Sequence, residues 1–415
     1  MFQESVTDIN EFLVRDALRE QGSLTRSELS TSLGLSPASI SRIVRRLVTA
    51  GVVSTRAVSS YAGPGRKREI VSFNPRSACV IAVDLGGTKC HGALADLAAD
   101  TLAEDHRPTF GDGDPTSTLI ACIEALRAEA AKRELEVRAV VIGVPAVPDP
   151  DSGLISAGPN VNWNSYDLIG RLREHVEAPL RIENDVTLAA IGQAWRGEGR
   201  AVEGFVTISL GTGVGAAIFA NGQIVRGRHN SAGEVGFMLT SRDQLRQPPM
   251  PALEAVVSGP AIAARARELL EAGEASLMSA DDLSAADVFR AASEGDAVAR
   301  EVIGGLLDSV AIMVLNIGAV LDPERVIFDG SVGRALEPYA DQIRDRIANR
   351  VPHPPELCFS KLGPNATVTG AIAGALALDR EADARRAFGP LQSAQAVALA
   401  TLPAYGDLVQ TGSEG

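Results

Sequence analysis

The chain holds 415 residues with a formal net charge of −13 and 45% hydrophobic content, enough for two or three domains and a sizeable core. Its scattered cysteines (Cys79, Cys90, Cys122, Cys358) form no CxxC pair, which excludes a disulfide framework and a Cys-rich metal site and implies a reducing compartment. Acids in the first twenty residues (Glu4, Asp8, Glu11, Asp16) argue against a signal peptide. The most membrane-like run, 304–323, is interrupted by Asp308 and Asn316 and reads as a buried helix, so the expected location is the cytoplasm.

Apolar residues at Ile9, Phe12, Leu13, Ala17 and Leu18 predict a helix over 8–21 that ends at Gly22. Thr25 with Glu28 three residues on has the capping-box pattern and predicts a second helix. Gly34 breaks the chain, and Ser36-Pro37 starts a third helix that buries Ile40, Ile43, Val44 and Leu47. Ser36, Ala38, Ser39, Ser41, Arg42, Arg45 and Arg46 then form the candidate DNA-reading set. This succession predicts a helix-turn-helix whose third helix enters the major groove. Two strands around the Gly/Pro-rich 63–69, GPGRKRE, make a wing in which Arg66, Lys67 and Arg68 suit phosphates or a narrow minor groove. Residues 23–68 carry eight cations against the single acid Glu28. That asymmetry fits a nucleic-acid module on an acidic body, or a solvated basic face.

From residue 79, CVIAVDLGGTKCHGALADL reads as strand, glycine turn, strand, and FVTISLGTGVGAAIFANG (205–222) repeats the design. Such turns bring backbone N–H groups around phosphate oxygens. Between them, LRIENDVTLAAIGQAW (180–195) delivers Glu183, Asn184 and Asp185 onto a helix start. These groups can bind several hydroxyls, with a carboxylate as proton acceptor, or cap the helix.

DLGGTK, GVP, PN, END, GTGVG and SAGEVGFM in this order resemble the ROK family of repressors and sugar kinases. The likeness covers roughly residues 10–380. It implies an α/β fold: an N-terminal winged helix-turn-helix followed by a two-lobed, actin-like (ribonuclease H-like) sugar-kinase body with sugar in the cleft. The expected units are 1–76 (winged helix-turn-helix), 77–195 (first lobe), 196–385 (second lobe, with a helix near 366–380 packing back on the first) and 386–415 (tail). By resemblance, Asp84, Gly86, Gly87, Thr88 and Lys89 match the first phosphate loop, and Gly211, Thr212, Gly213 and Gly215 the second. Asn160, Asn184, Asp185, Glu234 and Glu254 match the sugar-binding set, with Asp185 the catalytic base in the kinases.

Three departures matter. Phe237 stands where zinc-holding members have a histidine, and no cysteine follows, so no structural zinc and no metal ligand set is expected. Asp329 stands where the kinases show a glycine near adenosine, and Ala146 where glycine follows GVP. The reading is a sugar-responsive regulator, most simply a repressor of carbohydrate genes. It would bind palindromic operator DNA as a homodimer or dimer of dimers, take a sugar or sugar phosphate as effector, require no cofactor and have no membrane partner. The other reading is an ATP-dependent hexose kinase with an appended head, which would use ATP and Mg²⁺. A protein-interaction platform would expose apolar surface on the head rather than arginines.

Overall fold

The computed structural model describes residues 2–58, 68–111, 113–149, 152–158, 161, 163–246 and 250–388. The head consists of α1 (Phe2–Gln21), β1 (Leu24–Thr25), α2 (Arg26–Leu33), α3 (Pro37–Thr49), β2 (Val53–Val58) and β3 (Arg68–Phe73). α1 starts at Phe2 rather than near Asp8, since no Gly or Pro interrupts the intervening residues. Thr25 and Glu28 complete a capping box on α2, and Ser36 caps α3 through the Ser39 N–H. Val14, Leu18, Leu29, Ile40, Ile43, Val44, Leu47, Val53 and Val71 form the head core. β2 and β3 pair antiparallel from Val53↔Phe73 to Val58↔Arg68, with β1 on the other side of β3.

The first lobe contains β4 (Cys79–Leu85), β5 (Lys89–Asp96), β6 (Thr101–Pro108), α4 (Pro115–Lys132), β7 (Val137–Val144), the hairpin β8 (Leu154–Gly158) and β9 (Trp163–Asp167), α5 (Leu168–Leu172), β10 (Leu180–Asn184) and α6 (Asp185–Arg196). The second contains β11 (Gly204–Leu210), β12 (Val214–Ala220), β13 (Gln223–Val225), α7 (Glu254–Val257), α8 (Gly259–Glu271), α9 (Ala285–Ser293), α10 (Ala297–Leu321), β14 (Arg325–Asp329), α11 (Gly330–Ala335), α12 (Ala340–Ile347) and β15 (Glu356–Phe359). The sheet orders are β10-β7-β4-β5-β6 and β13-β12-β11-β14-β15. Read from the far edge, the second becomes β15-β14-β11-β12-β13, the same succession as the first. In both sheets the opening strand pairs antiparallel with the next and parallel with the fourth. The repeat between LGGTK and LGTGV is therefore a duplication of whole sheets.

α10 is long and apolar enough to cross a membrane by length and composition, but its Val302, Leu306, Val310 and Val314 belong to the second-lobe core. That burial accounts for its hydropathy.

The last described helix, α13 (Ala366–Phe388), returns to the first lobe, where Val368, Ala371, Ile372 and Ala375 pack with Val80, Ala82, Val141 and Leu188. It crosses α6 with no room for side chains: a Cβ on Gly370 would lie 1.8 Å from the Leu188 carbonyl oxygen. The far end of α13 meets the head. Phe12 packs edge-on against Phe388 at 5.5 Å and lies with Ala384 and Ala387 in a small core. Around it Arg15 pairs with Asp383 (3.2 Å), Arg19 with Asp379 (3.0 Å), and Arg380 with Asp16 (2.6 Å) and Glu20. Arg138 at the start of β7 bridges Asp379 (3.1 Å) and Asp383. α1 thus has two apolar faces, one for the head core and one for the body.

Candidate functional site

Two surfaces carry the residues singled out in the sequence. On α3, Ala38, Arg42 and Arg45 are exposed, an i, i+4, i+7 stripe opposite the buried Ile40, Ile43, Val44 and Leu47. Ser36 is occupied in capping, its hydroxyl 3.0 Å from that of Ser39. The Ser41 carbonyl accepts from Arg26. Arg46 is half exposed and pairs with Glu11 of α1 at 3.1 Å, so its guanidinium leans toward the helix that docks on the body. Arg66 and Lys67 lie outside the described residues, and Arg68 is placed by its backbone in β3.

The second surface is a cleft of about 800 Å³ between the lobes. It opens where the carboxyl ends of β4, β10, β11 and β14 converge, the usual ligand position for such sheets. β4 ends in Asp84 before Gly86 and Gly87, and β11 leads into Gly211, Thr212, Gly213 and Gly215. The two loops face each other, since a Cβ on Gly87 would come 3.4 Å from the Thr212 hydroxyl. Thr88 and Lys89 are exposed and lie outside the cleft lining. Thr109 instead braces the first loop from behind, donating its hydroxyl to Gly86 O at 2.7 Å and its N–H to Thr88 O at 3.0 Å.

Asn184 caps α6, accepting from the Thr187 N–H at 3.0 Å and donating to Ala146 O at 3.2 Å. Glu183 turns away from the cleft and pairs with Arg226 of the second lobe at 2.5 Å. Asp185 lines the cleft, its Oδ1 accepting from the Val186 N–H at 2.8 Å. Glu234 and Glu254 line the opposite wall, where Glu254 also accepts from the Val214 N–H at 2.9 Å and so fixes the end of the second loop. Asn160 lies outside the described residues.

Desolvation pushes the Asp185 carboxyl up to about 7, with Glu234 adding to the rise and the Val186 N–H opposing it. Asp84 is pushed well above the ordinary range by desolvation, Asp185 and Asp329. In the folded chain Asp185 thus holds its proton to higher pH than in the unfolded chain. Its contribution to stability falls as pH rises from the ordinary 3.8 through about 7. Asp185→Asn, which carries no titrating group, is expected to melt progressively higher than wild type over that window. Thermal midpoints of both ligand-free proteins at pH 5 and pH 8 check this; a gap no larger at pH 8 refutes it.

Asp329, 4% exposed, lines the cleft with partners of its own. It caps Gly330 N–H at 2.8 Å and pairs with Arg334 at 3.1 Å. The acid expected to disturb a nucleotide is compensated by a cation that also lines the cleft, a partner the sequence did not announce. Phe237 presents an apolar ring to the cleft, 59% exposed. Beyond it, Met238–Arg246 and Met250–Gly259 contain no imidazole or thiol. Zinc takes such N or S donors at about 2.0–2.3 Å, so this segment does not fit a zinc ion.

A family model described as ROK family matches residues 80–379, and one described as winged helix-turn-helix DNA-binding matches 9–54. The chain is 25% identical to a xylose repressor of Caldicellulosiruptor bescii over 379 residues, covering 88% of this chain and 94% of that protein. It is 28% identical to a glucokinase of Halalkalibacterium halodurans over 305 residues, covering 70% of this chain and 92% of that one. A crystal structure of a ROK family transcriptional regulator, a homologue of the Escherichia coli Mlc protein, superposes with a TM-score of 0.72 at 23% identity. It covers 98% of this chain and 100% of its own.

Proposed function

The chain belongs to the ROK family, and from that membership we propose that it is a sugar-responsive, DNA-binding transcriptional repressor whose effector sits between Asp185 and Glu234 in the interlobe cleft. The observation that carries the reading is the reach of the likeness to a repressor. That match includes the winged head as well as the body, and the head is not loosely tethered but locked to α13 by ion pairs. The head reads operator DNA through Ala38, Arg42 and Arg45 on α3, with Arg66, Lys67 and Arg68 of the wing on the backbone or minor groove. Two copies acting together on a palindromic site in the cytoplasm complete the reading, because one recognition helix covers a half-site.

Effector and DNA are linked by differential affinity between arrangements of the molecule. α13 joins the two sites physically: Ala366 and Thr367, with Gly363 and Pro364 just before the helix, line the cleft at one end, and Asp379 and Asp383 hold the head at the other. In this reading the segment after Glu234 works without a structural zinc, having no imidazole or thiol to hold one.

The test is fluorescence anisotropy on a duplex from upstream of the protein's own gene, with competitor DNA and a panel of sugars and sugar phosphates. Specific binding that one sugar alters is expected. Arg42→Ala or Arg45→Ala should weaken it by about 10- to 100-fold and relax sequence preference, the scale of a lost base contact. Unchanged affinity and preference in both variants would remove α3 from the groove.

A second reading rests on Asp84, Asp185 and the two facing glycine loops, the parts a sugar kinase uses to place a hydroxyl against a nucleotide phosphate bound with Mg²⁺. Asp185 would take the hydroxyl proton. Steady ATP-dependent phosphorylation of a hexose that Asp185→Asn abolishes would establish it beside the regulatory role.

A further inference from the structure

We propose that His91, Glu104 and His106 form a binding site for a divalent transition metal of the zinc class on the first-lobe sheet. Glu104 and His106 stand two residues apart on β6 and share one face of it. His91 on β5 is the direct cross-strand partner of His106. Two ligands on one strand and a third on its neighbour give a pleated sheet the means to present three donors to one point. The imidazoles stack with centroids 4.1 Å apart, and His91 Nε2 lies 3.1 Å from a Glu104 carboxylate oxygen. One donor atom from each residue falls within 4.8 Å of the others.

Tetrahedral coordination at about 2.0–2.1 Å places donors about 3.3 Å apart. The His91–Glu104 edge already meets that spacing. The remaining closure is by rotation of Glu104 and His106, which are both exposed, while His91, 8% exposed, is the fixed anchor. Two imidazoles and one carboxylate suit zinc, cobalt or nickel, whereas magnesium and calcium take all-oxygen sets. Three protein ligands leave a fourth position for water.

None of the three residues lines the interlobe cleft, and the site is separate from the segment after Glu234. Its position still matters. His91 is also the cross-strand partner of Asp84, and β6 runs directly into Thr109, the brace of the first glycine loop. A metal clipping β5 to β6 stiffens the edge on which that loop rests.

The test uses tag-free full-length protein, with zinc alone titrated against a chromophoric chelator and cobalt as a spectroscopic probe. One metal per chain is expected, unaffected by millimolar magnesium. His106→Ala, a change at an exposed side chain, should weaken zinc at least about tenfold and abolish the visible cobalt bands. Glu104→Gln should weaken it also, and zinc should raise the thermal midpoint of wild type but not of His106→Ala. Absence of zinc binding, or binding that is equal in wild type and His106→Ala, overturns the proposal, since the metal would then sit on other histidines.

Discussion

Asp383→Ala is expected to cost about 3 kcal/mol of stability and to disconnect the DNA-binding head from the body, because removing one partner of a buried ion pair strands the other charge. Asp383 is 3% exposed and accepts from Arg138 and Arg386 while pairing with Arg15. Burial alone would raise its carboxyl, yet Arg15, Arg138 and Arg19 together hold it below the ordinary range. A depressed carboxyl contributes stability above its unfolded value of 3.8 and loses it as pH falls through the lower folded value. The cost of the substitution should therefore be full at pH 7 and shrink under strong acid. Urea unfolding at pH 7 and pH 3 measures the first effect; DNA anisotropy with and without effector measures the second. A variant that keeps wild-type stability and effector response would show that the α1–α13 ion pairs are incidental. Arg138→Met together with Asp383→Leu should recover only the part due to Arg138, since Arg15 still loses its Asp383 partner.

Gly370→Ala should be about as damaging, near 3 kcal/mol, the upper range for overpacking. The obstacle is the Leu188 carbonyl oxygen at 1.8 Å and its carbon at 2.6 Å from the new Cβ, so backbone must move rather than a side chain rotate. α6 begins with Asp185, and the Thr367 hydroxyl near the start of α13 donates to the Asp185 carbonyl at 3.4 Å. Forcing the helices apart therefore also loosens the cleft, and weaker effector binding should accompany the lower midpoint. Gly305→Ala is the control. It lies in α10 with nothing within 4 Å of the added Cβ, and replacing a mid-helix glycine there should leave stability unchanged or raise it by up to about 1 kcal/mol. Equal effects at both positions would mean that helix propensity, not the α6–α13 crossing, governs the loss.

Much of the head was legible because its signals are local. Thr25 and Glu28 are three residues apart, as are Ser36 and Ser39, and the apolar stripe of α3 lies within one helix. The doubled lobe was visible in LGGTK and LGTGV because a phosphate-type turn constrains residue identity over a few positions. The docking of head on body was not legible. Arg15, Arg19, Asp379 and Asp383 carry no local signal that joins them, because the partners lie more than 350 residues apart. Phe12 was legible as part of an apolar helical stripe, but periodicity cannot say what covers it, and it packs on Phe388 rather than in the head core. The run Glu183-Asn184-Asp185 divides into an interlobe ion pair, a helix cap and a cleft-lining carboxyl that accepts from the Val186 N–H, a division that only tertiary geometry makes. His91, Glu104 and His106 escaped notice because strands that pair in space carry no fixed ligand spacing in sequence.

α13 has 23 residues, which at about 1.5 Å per residue is a rod about 34 Å long. Its cleft end is clamped to α6 by contacts between backbones, which do not yield as side chains do. In mechanical terms it is a lever with a stiff short arm. A tilt of about 5° at the cleft end would sweep the far tip of such a rod through about 3 Å, close to the 3.4 Å that separates successive nucleotides along a strand. A helix seated in the major groove that is carried one step along it meets the wrong bases. On the proposed regulatory reading, a small rotation at the cleft end would thus reach the head as a displacement of about one base step.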